Sequence, residues 1–596
     1  MKISVLALNY KSKINWISFY LERENYMAGT IAIGVQDFGE LISNNCFYID
    51  KTSFIKEWWD NMDSVTLITR PRRFGKTLTI SMLERFFSIQ YYNESAIFEH
   101  LDIWKYPEYR EIMGTYPVIA LSFARIKENT FLKTRDKICE VLRNIYIKFE
   151  FIKDSAALTD SDRAYYDRML LENISDTDAT SAIYQMSDFL YRYYNKKVII
   201  LLDEYDTPMQ EAYIDGYWDE LAVFTRSLFN STFKTNPAME RGLMTGITRV
   251  SKESIFSDLN NMEVVTTTSV KYADVYGFTE DEVFSALDEY GLSDIKDKVK
   301  RWYDGFLFGN SKDIYNPWSI INLLDKKQLG TYWANTSTNG LIAKLIQEGD
   351  RNIKQLFETL LKGESIVCEI DEQIIYNQLS INDNAIWSLL LASGYLTVVN
   401  YIGYGDAKLP ENCMPQYELK ITNYETKLMF NELVKNWFAN NRADYNDFIK
   451  AMLIGDVDAM NEYMNRITMQ IFSCFDVGRK SEFAQPERFY HGFILGLLVE
   501  LQDRYYLSSN RESGFGRYDI MLEPKNIMKD NAIIIEFKVK NVRKEVTLED
   551  TVREALNQIK EKQYVQNLLV KGIDESNIKC YGMAFEGKNV LIACAE

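Results

Sequence analysis

The stretch Val65-Thr-Leu-Ile-Thr69-Arg-Pro-Arg-Arg-Phe-Gly75-Lys76-Thr77 decides the fold of the first half of this 596-residue chain. It begins as a short apolar strand, and the residues after Lys76 can form an amphipathic helix. A strand, a loop and a helix in this order are the context of a phosphate-binding loop, because backbone N–H groups at the start of a helix point at phosphate oxygens. The stretch therefore predicts a nucleotide site.

The residue types of this loop suit nucleotide phosphates and Mg²⁺. Gly75 allows a close approach of the backbone, Lys76 would reach the β- and γ-phosphates, and the Thr77 hydroxyl would bind Mg²⁺. The usual first glycine of such loops is replaced by Arg70, so the signature is degenerate. We predict that the residues that hold the nucleotide are Arg72, Arg73, Phe74, Gly75, Lys76, Thr77 and Asp203.

The loop arginines, Arg70, Arg72 and Arg73, leave two interpretations open. They could stabilise phosphates or touch nucleic acid, because a guanidinium is always charged and offers several donors. They could equally belong to a solvated loop with a structural ion pair. The sequence does not choose between these interpretations.

A second apolar strand ends in acids. Residues 198–202 are followed by Asp203 and Glu204, which we predict to contact Mg²⁺ and to orient the attacking water, respectively. A third strand, residues 242–247, leads to Thr248 and Arg249, where a polar residue could sense the γ-phosphate. The alternative is that the acids cap the following segment and that the phosphate-loop pattern is merely a turn.

Short apolar strands alternate with longer helical stretches over the first half of the chain. This alternation predicts an α/β fold, with a parallel sheet that carries helices on both faces. The predicted strands are 65–68, 118–123, 198–202, 242–247 and 264–267. The region after residue 272 reads as mainly helical, with a strand near 394–399, and the C-terminal stretch reads as helix, strand pair, helix and hairpin.

The C-terminal stretch contains a strand, Ala532-Ile-Ile-Ile-Glu536-Phe-Lys538, in which an apolar run admits two opposite charges. Side chains two residues apart lie on the same face of a strand, so Glu536 and Lys538 share one face. Asp519 starts the preceding strand, and a hairpin could bring it to Glu536. Gln558 lies on the following helix and could turn toward Lys538.

These residues suit metal-dependent cleavage of phosphodiesters. Asp519 and Glu536 can hold Mg²⁺, Lys538 can position water or neutralise charge, and Gln558 can orient substrate or water. The alternative is a cross-strand salt-bridge face without catalysis. Glu500 and Glu512 are further candidate metal ligands, and His491 is a candidate phosphate or proton-transfer group that is more typical of a core or cap.

Composition limits the function classes. The net charge of -17 disfavours a globally basic nucleic-acid binder, so contact with DNA or RNA requires local basic patches or metal ions. The seven cysteines form no CxxC pair, which fits a reducing, cytoplasmic compartment. No apolar run reaches the roughly 18–20 residues that span a bilayer, so we expect no membrane partner.

The domain organisation predicted from these patterns has five parts. Residues 1–26 form an N-terminal extension ahead of Met27, where translation could begin. Residues 27–271 form the nucleotide-binding domain, 272–385 a helical lid or adaptor, 386–480 a mixed linker region, and 481–596 the C-terminal domain.

The chain resembles a bacterial family that pairs an AAA-ATPase-like domain with a C-terminal PD-(D/E)XK nuclease-superfamily domain. The resemblance covers nearly everything from Met27 onward and rests on the motifs at 33–38, 48–52, 70–77, 202–206, 315–318 and 509–519. It implies a P-loop sheet, a restriction-endonuclease-like C-terminal domain and ATP as the nucleotide. It also implies metal ligation by Asp519 and Glu536 and a catalytic role for Lys538.

Three functions follow as hypotheses. The first is an ATPase whose nucleotide state positions a Mg²⁺-dependent nuclease on DNA, with a homo-oligomer as the expected assembly. The second is a nucleotide-gated switch whose C-terminal domain binds nucleic acid or a protein without cleaving. The third is an ATPase that is indifferent to DNA.

Overall fold

This computed structural model describes residues 29–250, 255–256, 259–334, 341–342, 345–346, 351–371, 379, 383–404, 406, 409, 414–437, 442–472, 494, 498, 501, 504–509, 512–513, 516–517, 519–540, 545–586 and 589–595. The chain divides into two compact units, one formed by residues 1–342 and 365–427 and the other by residues 343–364 and 428–596. The predicted extension, residues 1–26, lies outside the described residues. The five-part division stays a prediction.

The first unit is built on a five-stranded parallel sheet with the order β2-β3-β4-β1-β5. Its strands are β1 (Val65–Thr69), β2 (Val118–Ser122), β3 (Val198–Asp203), β4 (Met239–Gly246) and β5 (Met262–Val265). Every residue of β1 and β3 is buried, as expected for parallel strands covered on both faces. The α/β fold class predicted from the sequence is confirmed.

The helices of the first unit follow the predicted alternation with the strands. The helix Lys76–Phe87 buries Ile80, Leu83 and Phe86 and packs against β2 and β3. The α-helices of this unit are Phe38–Ser43, Ser53–Asp60, Lys76–Phe87, Pro107–Ile112, Phe131–Lys148, Asp160–Met169, Asp176–Tyr194, Thr207–Asp215, Trp218–Phe233, Glu280–Glu289, Lys296–Tyr303, Pro317–Lys326 and Asp383–Ala392. The helix Tyr424–Trp437 contains the division between the units.

The first unit also contains two small antiparallel sheets. One has the order β6-β8-β7, with β6 (Phe278–Thr279), β7 (Phe306–Phe308) and β8 (Ser311–Tyr315). The other has the order β10-β11-β9, with β9 (Ile366–Glu369), β10 (Leu396–Ile402) and β11 (Gln416–Ile421). Strand β10 lies where the sequence predicted a strand, near 394–399. The other strands of these two sheets were not predicted, because they are too short to produce a clear period-two pattern.

The second unit contains a mixed five-stranded sheet with the order β12-β15-β16-β17-β18. Its strands are β12 (Tyr505–Ser509), β15 (Ile520–Pro524), β16 (Ala532–Val539), β17 (Ile578–Glu586) and β18 (Asn589–Cys594). Only the β16–β17 pair is parallel. The strand pair β13 (Glu512–Ser513) and β14 (Gly516–Arg517) is separate. The α-helices of this unit are Arg351–Lys362, Arg442–Ile454, Val457–Phe472, Leu548–Glu561 and Gln566–Val570.

Strand β16 divides two hydrophobic clusters. Ile533, Ile535 and Phe537 belong to a cluster that includes the helices Arg442–Ile454 and Val457–Phe472. Ala532 and Ile534 belong to a cluster that includes residues of the helix Leu548–Glu561. This strict alternation puts Glu536 and Lys538 on the face of the second cluster.

In the part of the chain that the structure describes, no helix combines the length and apolarity that crossing a membrane requires.

Candidate functional site

The phosphate-loop segment leaves β1 between its neighbours β4 and β5 and enters the helix Lys76–Phe87. Gly75 has a φ of 84°, which glycine adopts without a steric penalty. Arg73 has a φ of 65°, a conformation that is costly for a side chain of its kind. Two left-handed residues in so short a segment curl the backbone before the helix begins.

Lys76 is buried, and its ammonium donates to the carbonyl oxygens of Arg70 (3.1 Å) and Pro71 (2.9 Å). Burial lowers the pKa of Lys76, while the charges of Glu204 and Asp203 oppose that shift. Among the described residues, its side chain makes no ion pair. The lysine predicted to bind phosphate therefore lies folded back onto its own loop.

Thr77 and Asp203 meet directly, because the Thr77 hydroxyl donates to Asp203 Oδ2 at 2.7 Å. The other carboxylate oxygen, Oδ1, accepts a hydrogen bond from Thr245 at 2.6 Å. This arrangement follows from strand order, since β4 lies between β1 and β3 and brings Thr245 to both. Burial raises the pKa of Asp203, and the two hydroxyls oppose that shift.

These two residues fit a Mg²⁺ site. A hydroxyl and a carboxylate whose oxygens lie 2.7 Å apart are close enough to share one cation. The buried Asp203 carboxylate has no cationic partner among the described residues.

Glu204 follows Asp203 with a φ of 50°, a left-handed conformation in a non-glycine residue. Strain of this kind is typical of functional positions that the surrounding structure holds in place. Its carboxylate Oε2 accepts a hydrogen bond from the Thr207 hydroxyl at 3.0 Å. Glu204 is thus at the carboxyl edge of the sheet beside Asp203, with one oxygen engaged by the next helix.

The predicted loop residues Arg72, Arg73 and Phe74 have three different environments. Arg72 is half-buried and donates to Gln210 Oε1 at 3.2 Å. Arg73 is exposed and lies over the Trp318 ring at 4.4 Å. The Phe74 ring is buried against Phe306 and Phe308, which leaves its backbone rather than its side chain for a ligand.

Arg70 is fully buried and bonded to backbone carbonyls instead of carboxylates. Its guanidinium donates to the carbonyl oxygens of Thr69 (2.9 Å), Thr266 (2.6 Å) and Tyr272 (3.2 Å). The ring of Phe308 lies 4.8 Å from the guanidinium carbon. Neither open interpretation of the arginines holds for Arg70, which is a structural anchor between β1 and the segment after β5.

The motif at residues 315–318 has a physical role beside the loop. Asn316 caps the helix Pro317–Lys326 and donates to the Arg72 carbonyl at 3.3 Å. Trp333 Nε1 donates to the same carbonyl at 3.0 Å. The region after the parallel sheet therefore fixes the backbone of the phosphate loop.

In the second unit, the structure brings together Asp519, Glu536, Lys538 and Gln558. Asp519 lies just before β15, and its Oδ2 accepts a hydrogen bond from the Phe537 N–H at 2.8 Å. Gln558 bridges the other two residues, since its Nε2 donates to Glu536 and its Oε1 accepts from Lys538. The Gln558 amide therefore holds the side chains of both Glu536 and Lys538 in place.

Glu536 is the unusual member of this group. It is 2% exposed, and its Oε2 has no hydrogen-bond partner among the described residues. Burial and repulsion from Asp519 raise the pKa of Glu536 well above its usual range, although Lys538 opposes the shift. A buried carboxylate oxygen without a donor beside a second carboxylate fits a divalent cation, because metal ions supply the missing partner.

Sequence reasoning missed Thr245, whose hydroxyl donates to Asp203 Oδ1. It considered Thr248 and Arg249 as sensors of the γ-phosphate, and that role stays a prediction. Thr248 donates to the buried Asp206. Sequence reasoning also assigned no role to Tyr564, whose hydroxyl accepts a hydrogen bond from the Gln558 amide at 3.4 Å. His491 and Glu500 lie outside the described residues, and only the backbone of Glu512 is described.

Comparison with known proteins agrees with this architecture. Residues 32–256 match the family model described as "Predicted AAA-ATPase", and residues 485–594 match that of the PD-(D/E)XK nuclease superfamily. The chain therefore joins an AAA-ATPase-like domain and a C-terminal PD-(D/E)XK nuclease-superfamily domain, as the resemblance of its motifs indicated.

Two individual proteins are similar to the chain. An uncharacterised protein in the vnfD 5′ region of Azotobacter chroococcum mcd 1 is 23% identical over 563 residues, which cover 91% of this chain and 94% of the relative. A signal transduction ATPase with numerous domains and a tetratricopeptide repeat sensor, from Pyrococcus horikoshii, aligns with 77% of this chain at 13% identity and a TM-score of 0.21. The chain spans about half of that protein, 54%.

Proposed function

We propose that the chain binds and hydrolyses ATP and that its C-terminal domain cleaves DNA phosphodiesters with Mg²⁺. The observation that carries the nuclease half is that Glu536 Oε2, buried beside Asp519, has no hydrogen-bond partner among the described residues, while Glu536 Oε1 is joined to Lys538 through Gln558. A salt-bridge face would pair Glu536 with a cation directly. Here a neutral amide separates Glu536 from Lys538, which leaves the second carboxylate oxygen for another ligand.

The residues of the C-terminal site divide the chemistry between them. Asp519 and Glu536 would hold a divalent cation, which would polarise the phosphodiester and make its bound water more acidic. Gln558 keeps the Lys538 ammonium directed at the same region, where it neutralises charge that develops on the phosphate. The apolar residues on the opposite face of β16 hold the strand rigid against the core.

The nucleotide half rests on Thr77, Asp203 and Lys76. Thr77 and Asp203, the two candidate ligands of Mg²⁺, are in contact at 2.7 Å. Lys76 directly precedes Thr77 and forms no ion pair among the described residues. Glu204 at the adjacent position is the candidate for orienting water. ATP would have to draw Lys76 away from the Arg70 and Pro71 carbonyls in order to bind.

The distribution of charge is compatible with DNA at the C-terminal domain. Residues 481–596 contain 16 Lys and Arg against 18 Asp and Glu, so this part is nearly neutral although the whole chain carries -17. Metal ions at the two carboxylates would reduce the negative charge further. The acidic balance of the chain therefore lies mostly outside the domain that would contact DNA.

The test is cleavage of single- and double-stranded DNA and RNA with Mg²⁺ or Mn²⁺, with and without ATP. Glu536→Ala should abolish cleavage. Glu523→Ala should not, because Glu523 lies on the adjacent strand β15 and is paired with Lys571. Loss of ATP stimulation in Lys76→Ala would support coupling. Cleavage that survives in Glu536→Ala would refute the assigned site.

A nucleotide-gated switch is the second candidate function. The observation that favours it is the self-satisfied state of the nucleotide site, where Lys76 binds its own loop and Thr77 binds Asp203. In that case the C-terminal domain would bind nucleic acid or a protein without cleaving it. Nucleotide binding without cleavage of any tested substrate would favour this function.

A further inference from the structure

Lys76 and Arg72 are two of the cations of the phosphate loop. Among the described residues, neither Lys76 nor Arg72 forms an ion pair, and the only hydrogen bond from the Arg72 side chain goes to Gln210. The positive charge of Arg72 contributes to the lowered pKa of Lys76, which places the two cations near each other. The two side chains therefore place positive charge on the loop without an ion pair among the described residues, and such charge suits the oxygens of a phosphate group.

The contact between Arg72 and Gln210 belongs to a longer chain of hydrogen bonds. Gln210 Nε2 donates to Asp206 Oδ2 at 3.2 Å, while its Oε1 accepts from Arg72. A guanidinium can only donate and an ionised carboxylate can only accept, so the orientation of the Gln210 amide is fixed by its two neighbours. Gln210 therefore acts as a rigid spacer between Arg72 and Asp206.

Asp206 connects this chain to the segment after β4. It is fully buried, and its Oδ2 also accepts from the Ile247 N–H at 3.0 Å and from both the N–H and the hydroxyl of Thr248 at 2.8 Å. Gly246 has no room for a Cβ, because Asp206 Oδ1 would lie 2.7 Å from it. The end of β4 and the Arg72 side chain are thereby held by one carboxylate.

We propose that Arg72 contacts the terminal phosphate of ATP from within the same chain, and that Gln210 and Asp206 are positioning residues that hold it in register with Thr245 and Thr248. This inference rests on the proposed ATP hydrolysis. Arg70 is excluded from the role by its backbone partners, and Arg73 lies over Trp318.

The reaction explains why a guanidinium is useful at this position. The water oxygen forms a bond to the γ-phosphorus, the bond to the β–γ bridging oxygen breaks, and that oxygen leaves with its electron pair on ADP. The water proton ends on phosphate or solvent. Negative charge develops on the bridging and equatorial oxygens, and an arginine next to them lowers the barrier.

The experiment measures steady-state ATP hydrolysis and the affinities for ATP and ADP in the full-length protein. Arg72→Ala should lower kcat by at least about 1000-fold, the lower end of the range for such arginines, and should weaken ATP binding more than ADP binding. Gln210→Ala should lower kcat about 10-fold with little change in KM, because it misplaces the guanidinium without removing it. Guanidinium ion should partly restore Arg72→Ala but not Gln210→Ala.

Controls separate local damage from loss of the arginine. Glu211→Ala changes the neighbouring residue on the helix Thr207–Asp215, and Arg143→Ala removes a half-buried arginine from the helix Phe131–Lys148. Both should keep wild-type kcat and melting temperature. Asp206→Asn, which keeps the shape of the side chain, should resemble Gln210→Ala if the protein folds.

The outcomes distinguish the two proposals. If wild-type protein binds and hydrolyses ATP but Arg72→Ala and Gln210→Ala retain wild-type kcat and ATP affinity, the arginine assignment is wrong and ATP hydrolysis stands. If wild-type protein binds ATP without hydrolysis, an unchanged preference for ATP over ADP in Arg72→Ala overturns the assignment, and a lost preference supports it. If wild-type protein binds no nucleotide, both proposals are refuted.

Discussion

The nucleotide site and the C-terminal site differ in the hydrogen-bond partners of their charged groups. In the nucleotide site, Lys76 binds loop carbonyls and both oxygens of Asp203 accept hydroxyl hydrogen bonds. In the C-terminal site, Glu536 keeps one buried oxygen without a donor among the described residues and has a strongly raised pKa. Lys76 and Asp203 are thus satisfied within the first site, whereas Glu536 in the second site lacks a partner that a cation would provide.

This difference has an energetic consequence. A satisfied buried group adds little to the cost of folding, whereas an unpaired buried carboxylate destabilises the protein until it binds a proton or a metal ion. ATP must therefore compete with existing hydrogen bonds in one site, while a metal ion would relieve a deficit in the other. The predictions below alter each site in turn.

The largest expected effect is the loss of cleavage in Lys538→Ala. Without the ammonium, we expect DNA cleavage to fall by at least about 1000-fold, since several kcal/mol of charge stabilisation disappear. The measurement is the initial rate of cleavage with Mg²⁺ or Mn²⁺.

Lys540→Ala is the matched control for this prediction. Lys540 lies two residues further along the chain and pairs with Glu586 at 2.8 Å. This variant should cleave at a rate within about threefold of wild type, because its charge has another function. Equal rates in Lys538→Ala and wild type would show that Lys538 is not part of the site.

The second prediction concerns Lys76→Ala. Loss of charge-assisted bonds to the phosphates should weaken ATP binding by about 100-fold. The nucleotide-free protein should not lose stability, because Lys76 is a buried cation whose hydrogen-bond partners are neutral carbonyls. Calorimetric titration and thermal melting measure the two effects.

Lys56→Ala tests whether any lysine substitution would do the same. Lys56 forms a surface pair with Asp60 at 2.6 Å in the helix Ser53–Asp60. Its removal should leave ATP affinity unchanged. Wild-type affinity in Lys76→Ala would contradict the phosphate-loop assignment.

The third prediction concerns Thr245→Val, which removes the hydroxyl from Asp203 Oδ1 with little change in shape. The orphaned oxygen should lower the free energy of unfolding by about 1–3 kcal/mol and ATP hydrolysis by about 10-fold. Thr66→Val on β1 is the control, because it removes a buried hydroxyl that accepts from Trp58 Nε1 at 3.2 Å. If the two variants hydrolyse ATP equally fast, Thr245 has no role beyond stability.

The smallest expected effect is a change in the pH dependence of stability in Glu536→Gln. Because the folded-state pKa of Glu536 is raised, its contribution to stability is present below the unfolded pKa of about 4.3 and is lost as pH rises toward the folded value. In EDTA, this slope should reach about 1 kcal/mol per pH unit in wild type and should be smaller in Glu536→Gln.

Thermal melting of the metal-free protein between pH 5 and 8 measures this slope. Mg²⁺ should stabilise wild type at high pH and leave Glu536→Gln unaffected, because the ion binds the carboxylate form. Glu523→Gln should retain the wild-type slope. A pH profile of stability that is identical in Glu536→Gln and wild type would contradict the raised pKa of the Glu536 carboxylate.

Local patterns predicted much of the fold. The five strands of the parallel sheet lie close to where their apolar runs placed them, because buried parallel strands are continuous apolar segments. The short strands β6, β7 and β8 were not predicted, since two to five residues carry too little periodic signal.

The candidate sites were predictable where one element carries both residues. The shared face of Glu536 and Lys538 follows from the two-residue period of a strand, and the order of Lys76 and Thr77 follows from the loop itself. The position of Thr245 was not predictable, because it depends on β4 lying between β1 and β3.

The sequence by itself determined which functional motifs this protein contains. They are a phosphate loop, a strand that ends in Asp203 and Glu204, and a C-terminal motif with Asp519, Glu536 and Lys538. The tertiary structure alone decided how those groups are partnered. It buried Arg70 among carbonyls, joined Arg72 to Asp206 through Gln210, and left Glu536 Oε2 without a donor among the described residues. The reason is that secondary structure depends on neighbours in the chain, whereas hydrogen-bond partners and burial depend on residues that only the folded chain brings together.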